Sequence, residues 1–453
     1  MDLDSIAAWR TLELKMKWLG ALFLLVLTGT GGADLPPPER SYKILMLLPV
    51  GSKSHRNVFM PLVEALADRG HKVDMLTSYD IQHQNPNIRE ITHGLPHYPR
   101  ATINMFNDAQ TAFGVVLTFK DQLSKMARDI YQVPRVKELY RKRKEYDLIV
   151  LNHNYNEINV HFPDLPPLLE LERNQSLVLM NSHFSTDLTV PLLPFQVEVG
   201  GMHCRPAKPL PEDLRSWIEG AGSAGVIYFS LGSITKGTTL PTKYRNMFIK
   251  AFSKLNQRIL WKFETDLEGI PENVMIKPWL PQQDILGHPN VKVFISHGGR
   301  LSMQESLYHG TPMVTLPLFG DQPINGARVI ANGWGLSLNY EDLSVELIIS
   351  SLEEVTNNAT YVENVVKTSR LYKDQLTSPV ERAVFWTEYV IRHRGALKLR
   401  SPAASLSWVQ LLLLDVLALF LLVIILSLIV LHWIFKTVVR AVFGIQYLKK
   451  KFE

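Results

Sequence analysis

Residues 416–435 form a run of twenty without a formal charge, with Leu, Val and Ile placed so that a helix through them is apolar on every face. At ~1.5 Å per residue such a helix crosses the ~30 Å hydrocarbon core of a bilayer. A buried helix of a soluble domain rarely lacks a polar stripe, so the run reads as a membrane span, set at 409–435. The rest of the chain must fold on either side of it, as a long body before the span and a short basic tail, 436–453, after it.

The other end of the chain carries a second apolar segment. Lys15 and Lys17 precede a ten-residue run, 18–27, followed by the small residues of 28–33. That order of charge, apolar core and small residues is that of a cleavable signal peptide, 1–33. Met16 can serve equally as the start, and ten residues are too few for a membrane anchor. Arg392, Arg394, Lys398 and Arg400 before the span nearly balance Lys436, Arg440, Lys449, Lys450 and Lys451 after it. Loop charge alone therefore leaves orientation close to a tie. The signal peptide breaks the tie, implying a single-pass type I protein with its body in the lumen. Lysines three and four from the end resemble the dilysine retrieval signal of endoplasmic-reticulum membrane proteins, which sets the expected location.

Charge excludes one class of partner. A net charge of +5, spread over 453 residues, is too small for nucleic-acid binding. The six basic residues within 135–145 read as a solvated helix face. Cys204 is the only cysteine, which rules out an intrachain disulfide and a cysteine-based metal cluster.

The body alternates strand-like and helix-like segments. Strands are expected at 42–50, 72–77, 147–151 and 176–180, with a helix at 56–69 after a turn at 51–54. A proline-rich connector, Pro206, Pro209 and Pro211, opens a second half. There, strands at 226–231, 259–263, 291–296 and 313–316 alternate with helices at 241–256, 300–309 and 322–332. Helices at 345–357, 361–376 and 379–393 follow. Strand and helix alternating twice over predict an α/β fold of two Rossmann-like domains, 34–205 and 206–400, facing a cleft.

The chemistry concentrates between Trp279 and Gln322. His297-Gly298-Gly299 follows a strand and opens a helix, so backbone N–H groups and the helix dipole are offered to a phosphate. No G-x-G-x-x-G follows a strand and no G-K-[ST] loop exists, which argues against a nicotinamide dehydrogenase and a P-loop enzyme. No Asp-x-Asp pair occurs in the body to hold a divalent metal, so the metal set is expected to be empty. A diphosphate must then meet His297, backbone amides and hydroxyls such as Ser233 and Ser302.

Trp279-Leu280-Pro281-Gln282, His297-Gly298-Gly299, Ser302, Glu305 and Asp321-Gln322 together resemble, at every spacing, the donor signature of the UDP-glycosyltransferases. Ser230-Leu231-Gly232-Ser233, the run 392–396 and the dilysine end extend the likeness over nearly the whole chain, closest to the animal, especially arthropod, membrane-anchored branch. The resemblance implies a glycosyltransferase B-type fold and a metal-independent, inverting transfer of glucose or glucuronic acid to a small lipophilic hydroxyl acceptor, in the service of detoxification. No cofactor is implied beyond UDP-sugar as co-substrate. Membrane lipid is a partner through the span, and association with itself or with relatives is left open.

By resemblance, Trp279 stacks on uracil, Gln282 bonds the base edge and Glu305 accepts from the ribose hydroxyls. His297, Gly299, Ser233 and Ser302 hold the diphosphate, and Asp321 with Gln322 the sugar. His55, after the first strand, is the implied catalytic base, kept neutral by the helix N-terminus beside it. Two departures stand out. The family's orienting aspartate is replaced by Asn152, and the chain passes almost at once from 156–160 to 166–172, so part of the acceptor domain is absent. A catalytically impaired relative that binds UDP-sugar or modulates full-length members is therefore the alternative. Asn174 and Asn358 head glycosylation sequons, with Asn358 expected to be the more exposed.

Overall fold

The computed structural model describes residues 35–49, 53–95, 125–151 apart from 127, residue 170, 174–233 and 237–452. The expected signal peptide, Asn152 and the stretch 156–169, where the shortening was expected, lie outside the described residues.

The first sheet is wholly parallel, with strands β1 (Lys43–Leu47), β2 (Lys72–Thr77), β3 (Ile88–Thr92) and β4 (Leu148–Leu151) in the order β3-β2-β1-β4. Strands β1, β2 and β4 read as largely apolar runs because helices pack against the sheet. On one face Ile44, Met46, Val73 and Met75 pack with Met60, Val63 and Leu66 of α1 (Lys53–Asp68). On the other, Leu45, Leu47 and Leu76 meet Val136 and Leu139 of α2 (Pro134–Arg141). The basic segment 135–145 is thus a helix followed by a 3-10 turn, Lys142–Glu145, with its charges outside. A two-stranded parallel unit, β5 (Val178–Met180) and β6 (Gln196–Glu198), stands apart.

The second sheet contains β7 (Val226–Ser230), β8 (Arg258–Lys262), β9 (Val274–Lys277), β10 (Val291–Ser296), β11 (Met313–Thr315) and β12 (Gly335–Ser337). All are parallel, in the order β12-β11-β10-β7-β8-β9, which is the doubly wound 3-2-1-4-5-6 arrangement. Helices α3 (Glu212–Glu219), α4 (Thr242–Phe252), α5 (Gln282–Leu286), α6 (Arg300–His309), α7 (Gln322–Ala331) and α8 (Val345–Asn357) surround it. Phe229, Phe248, Phe252 and Trp261 fill the core on the α4 and α8 side. Tyr228, Phe294, Met303 and Leu307 fill it on the other.

Element positions expected from the sequence hold to within a few residues, with one shift that matters. Helix α1 begins at Lys53, not Arg56, which puts Ser54 and His55 inside its first turn. Strands β3, β6, β9 and β12 went unread. They are three to five residues long and carry too little apolar pattern to separate from loop.

After α9 (Ala359–Lys373), helix α10 (Pro379–Arg392) starts with a full capping box, Ser378 with Glu381. It then crosses back to the first domain, where Ala383 and Val384 join the β1–β2 core. Glu388 accepts from Arg69 at 2.6 and 3.0 Å and pairs with His71 Nε2 at 2.9 Å. The carboxyl is held below its usual range: burial alone would raise it, and the Arg69 and His71 bonds outweigh that. A short helix, α11 (Trp408–Leu411), leads into α12 (Leu414–Phe452), whose stretch Leu414–Phe443 is long and apolar enough to cross a membrane, with mean hydropathy 3.2.

Candidate functional site

In a doubly wound sheet, ligands bind beyond the carboxyl ends of the strands where strand order reverses, here between β7 and β10. Ser233 follows β7, and His297-Gly298-Gly299 follows β10 and starts α6. The first domain presents the carboxyl end of β1 and the start of α1 to the same place, because Ser54 Oγ lies 2.7 Å from Ser233 Oγ. A cavity of about 580 Å3 fills the junction. Its walls include Ser233, Trp279, Gln282, His297, Gly299, Ser302, Glu305, Asp321 and Gln322 from the second domain and His55 from the first. Residues spread over 268 positions of chain thus meet in one space.

One wall is a hydrogen-bonded carboxamide and carboxylate. Gln282 Nε2 donates to Glu305 Oε2 at 2.5 Å and to Ser302 Oγ at 3.1 Å, and its Oε1 accepts from Tyr228 OH at 3.2 Å. Burial pushes the Glu305 carboxyl up to about 7, against the pull of the Gln282 bond and of Arg205. Trp279, 51% exposed, offers a ring beside this wall, and Lys53 of α1 sits 4.5 Å from its centroid across the cleft.

The raised carboxyl has a consequence for stability. A group more basic in the folded than in the unfolded chain supports folding fully below about pH 4.5 and loses that support as pH rises through about 7. Relative to the parent, Glu305→Gln should therefore gain on the order of 1–3 kcal/mol between about pH 5 and about pH 8. Thermal melts of the two proteins at both pH values measure the difference; an identical pH dependence would refute it.

Opposite lies His297. Its ring is gripped between two glycines: a Cβ on Gly232 would come within 2.6 Å of Cε1, and one on Gly299 within 2.3 Å of Nε2. Gly232 also has φ +87°, a conformation glycine adopts without strain. Burial lowers the His297 pKa to about 4, so the ring is neutral and can donate or accept a hydrogen bond but supplies no positive charge. Cationic side chains of the lining are Arg205, Arg300 and Lys262; the last, at the end of β8, pairs with Glu264 at 2.7 Å. Sequence reasoning missed Lys262. The signal was its place at the carboxyl end of the strand next to the switch point.

Asp321 and Gln322 are partly committed to building the site. Asp321 Oδ2 accepts from the Arg300 backbone N–H at 3.1 Å and from Asn325 Nδ2 at 2.7 Å, which ties the starts of α6 and α7 together. Gln322 Oε1 accepts from the Leu318 and Phe319 amides at 2.8 and 3.3 Å and shapes the preceding loop.

His55 faces this group across the cleft. Burial lowers its pKa, while the negative charge of Asp321 pulls the other way. The direction is the one that favours a neutral ring, and its leading cause is burial rather than the helix N-terminus. Cross-domain struts fix the approach. Asp187, between β5 and β6, accepts from Arg300 and from Arg328 Nη1 at 2.8 Å, and Gln304 Nε2 donates to Asn181 Oδ1 at 2.9 Å. Asp187 is a second residue that sequence reasoning missed, for nothing in its local pattern marks a partner 113 positions away.

The two sequons reverse their expected ranking. Asn174 is exposed, with its Oδ1 accepting from Arg400 Nη1. Asn358 is half-buried and caps α9: its Oδ1 accepts from Thr360 N–H at 3.1 Å and its Nδ2 donates to Glu354 at 2.8 Å. Among the described residues, no group of three or more His, Cys, Asp or Glu is placed to hold a metal ion.

The model of the family described as UDP-glucoronosyl and UDP-glucosyl transferase matches residues 108–450. UDP-glucosyltransferase 2 of Dactylopius coccus is 32% identical over 482 positions, covering 87% of this chain and 91% of that protein. So long an alignment over 87% of 453 residues requires gaps on this side. UDP-glycosyltransferase UGT5 of the same species is 42% identical over 276 residues, and UDP-glucuronosyltransferase 2B14 of Oryctolagus cuniculus is 42% identical over 248. These matches cover 60% and 54% of this chain, and about half of each relative, 52% and 46%. Among solved structures, Os79 of O. sativa in complex with UDP superposes over 77% of this chain and all of that one, with a TM-score of 0.57 at 14% identity. Arabidopsis thaliana UGT89C1 complexed with UDP-L-rhamnose superposes over 78% and 99%, with a TM-score of 0.57 at 16% identity. At such identities the likeness concerns the fold, two facing Rossmann-like domains.

Proposed function

Because this chain belongs to the UDP-glucoronosyl and UDP-glucosyl transferase family, we propose that it transfers a hexose from a UDP-sugar to the hydroxyl of a small lipophilic acceptor. One observation carries the reading: a single cavity is walled by the donor-type residues of the second domain and by a histidine of the first whose pKa burial lowers. Uracil stacks on Trp279 and meets Gln282, while Glu305 accepts from the ribose diol. The diphosphate sits at the start of α6 among Ser233, Ser302, backbone N–H groups and His297, with Lys262 supplying charge. Asp321 and Gln322 face the sugar.

His55 accepts the acceptor hydroxyl's proton as its oxygen bonds to the anomeric carbon. The bond from that carbon to the diphosphate oxygen breaks, and UDP leaves with the electron pair. Attack from the face opposite the leaving group inverts the anomeric centre. Asn152 supports a second reading, binding of UDP-sugar without useful turnover, because an amide cannot balance the charge of a protonated ring.

Either reading requires the nucleotide to bind. UDP should raise the thermal midpoint of the full chain in detergent, by ordinary linkage. Trp279→Ala should remove most of that shift, since base–aromatic stacking contributes ~1–3 kcal/mol. An unchanged shift in the variant would sink the stacking role.

We place the body in the endoplasmic-reticulum lumen, with the tail in the cytosol. Asn174 is then the site expected to carry glycan, on grounds of exposure. Replacing Lys450 and Lys451 by serine should release the protein to compartments where that glycan is processed. A protease-sensitive body in intact microsomes, without glycan at either sequon, would overturn the orientation.

A further inference from the structure

Glu90, in the middle of β3, is a carboxylate whose side chain has no exposed surface. Parallel pairing sets it beside Met75 of β2, so Met75, Thr77, Ile88 and Glu90 point to one face of the sheet. Met75 and Ile88 belong to the core that α1 closes, which places Glu90 beneath that helix. All four acceptor positions of the carboxylate are used. Its Oε1 accepts from Arg56 Nε at 2.8 Å and from Thr77 Oγ1 at 2.7 Å. Its Oε2 accepts from Arg56 Nη2 at 2.7 Å and lies 2.9 Å from His83 Nε2. Burial alone would raise the carboxyl, but the bonds from Arg56, Thr77 and His83 hold it below its usual range. It stays an anion.

Arg56 is an adverse residue for its position. It stands in the first turn of α1, which also carries Lys53 and has no acidic residue. The dipole of a helix favours anions at this end and repels cations. Glu90 supplies the missing anion from a neighbouring strand, and the two-pronged contact fixes direction as well as distance. The turn held in this way is the one that brings Ser54 and His55 to the cavity, with Asn57 after them. Arg56, between His55 and Asn57, is buried and turns the other way, into the sheet. None of Arg56, Thr77, His83 and Glu90 belongs to the cavity wall.

The geometry points to Arg56 and Glu90 as positioning residues for His55: their buried fork holds the first turn of α1 on the sheet and so sets the line along which the ring meets the acceptor hydroxyl. A base works only within a narrow range of distance and angle, and a displacement of about 1 Å can cost ~10²-fold in rate. The inference rests on His55 being the base.

The test compares Arg56→Ala with Arg69→Ala, each as the full chain in detergent. Arg69 makes a similar fork to a buried carboxylate, Glu388, at the other end of α1, so its loss lowers the thermal midpoint without touching the first turn. Exchange of the His55 ring C2 hydrogen for deuterium, followed over pH by mass spectrometry, reads the pKa of this ring whether or not the chain turns over. In the parent it should lie below the ordinary ~6.5. In Arg56→Ala it should rise toward ~6.5 as the loosened turn admits water. There kcat should fall by ~10 to 10², with KM for the UDP-sugar kept within about twofold. Arg69→Ala should leave all three values as in the parent. Arg56→Lys keeps the charge but not the fork and should lie between parent and alanine, which preserves the test if the alanine variant does not fold. A parent-like His55 pKa in both Arg56 variants would make the pair an element of the fold alone and overturn the inference. An equal shift in Arg69→Ala would overturn it too, since any loss of stability would then move the ring. Failure of the base reading is a separate result, an unchanged rate in His55→Ala.

Discussion

Alanine at position 55 is expected to lower turnover by ~10² to 10⁴ while UDP still raises the thermal midpoint as in the parent. The two readouts separate because His55 comes from the first domain, whereas the residues expected to bind nucleotide come from the second. The lowered pKa of His55 fixes the pH profile as well. The ring must be neutral to take a proton, so the acidic limb of turnover should fall below the ordinary histidine value of ~6.5. Asn152→Asp should raise turnover by ~10 to 10³, since removing the equivalent carboxylate from serine-protease triads costs ~10⁴. If restoring the absent acceptor segment alone gives full activity, another group orients His55 and the Asn152 argument fails. If His55→Ala, in a chain that turns over, leaves the rate unchanged, the base lies elsewhere.

Loss of the Asp187 carboxylate should be the most damaging change away from the cavity, at about 3–5 kcal/mol for Asp187→Ala. Burial by itself would raise this carboxyl, yet it is held below the usual range because the Arg300 bond and charge, with Arg328 behind them, prevail. Truncation leaves two guanidinium groups at the domain junction without their anion. Arg300 begins α6, so the phosphate-binding end should shift with it, and UDP affinity should fall along with stability. Denaturant unfolding and UDP titration measure the two effects. Asp187→Asn keeps the acceptor oxygen and should lie between parent and alanine. A variant as stable as the parent would show that the strut carries no load.

These two predictions differ in origin. His55 was singled out through the family resemblance, on a motif that is local in the chain: a buried strand, a short turn and the onset of a helical pattern. The donor set from Trp279 to Gln322 was legible for the same reason: its spacing is written in one continuous stretch. Asp187 was not, because an ion pair across a domain junction depends on where two separately folded units meet. Lys262 was placed on its strand by the sequence, but its facing the cavity follows from strand order, which alternation alone does not give.

The sequence by itself determined the parallel α/β architecture, a helix long and apolar enough to cross a membrane, and many of the residues that surround the cavity. Each follows from a pattern within some forty residues, at periods set by strand, helix or bilayer thickness. Tertiary structure decided the rest. It returned α10 to the first domain, where Glu388 meets His71 and Arg69. It buried His297 and Glu305, moving one to about 4 and the other to about 7. It also exposed Asn174 and turned Asn358 into a helix cap. Burial and long-range pairing depend on what the rest of the chain places beside a residue, and no local spacing records that.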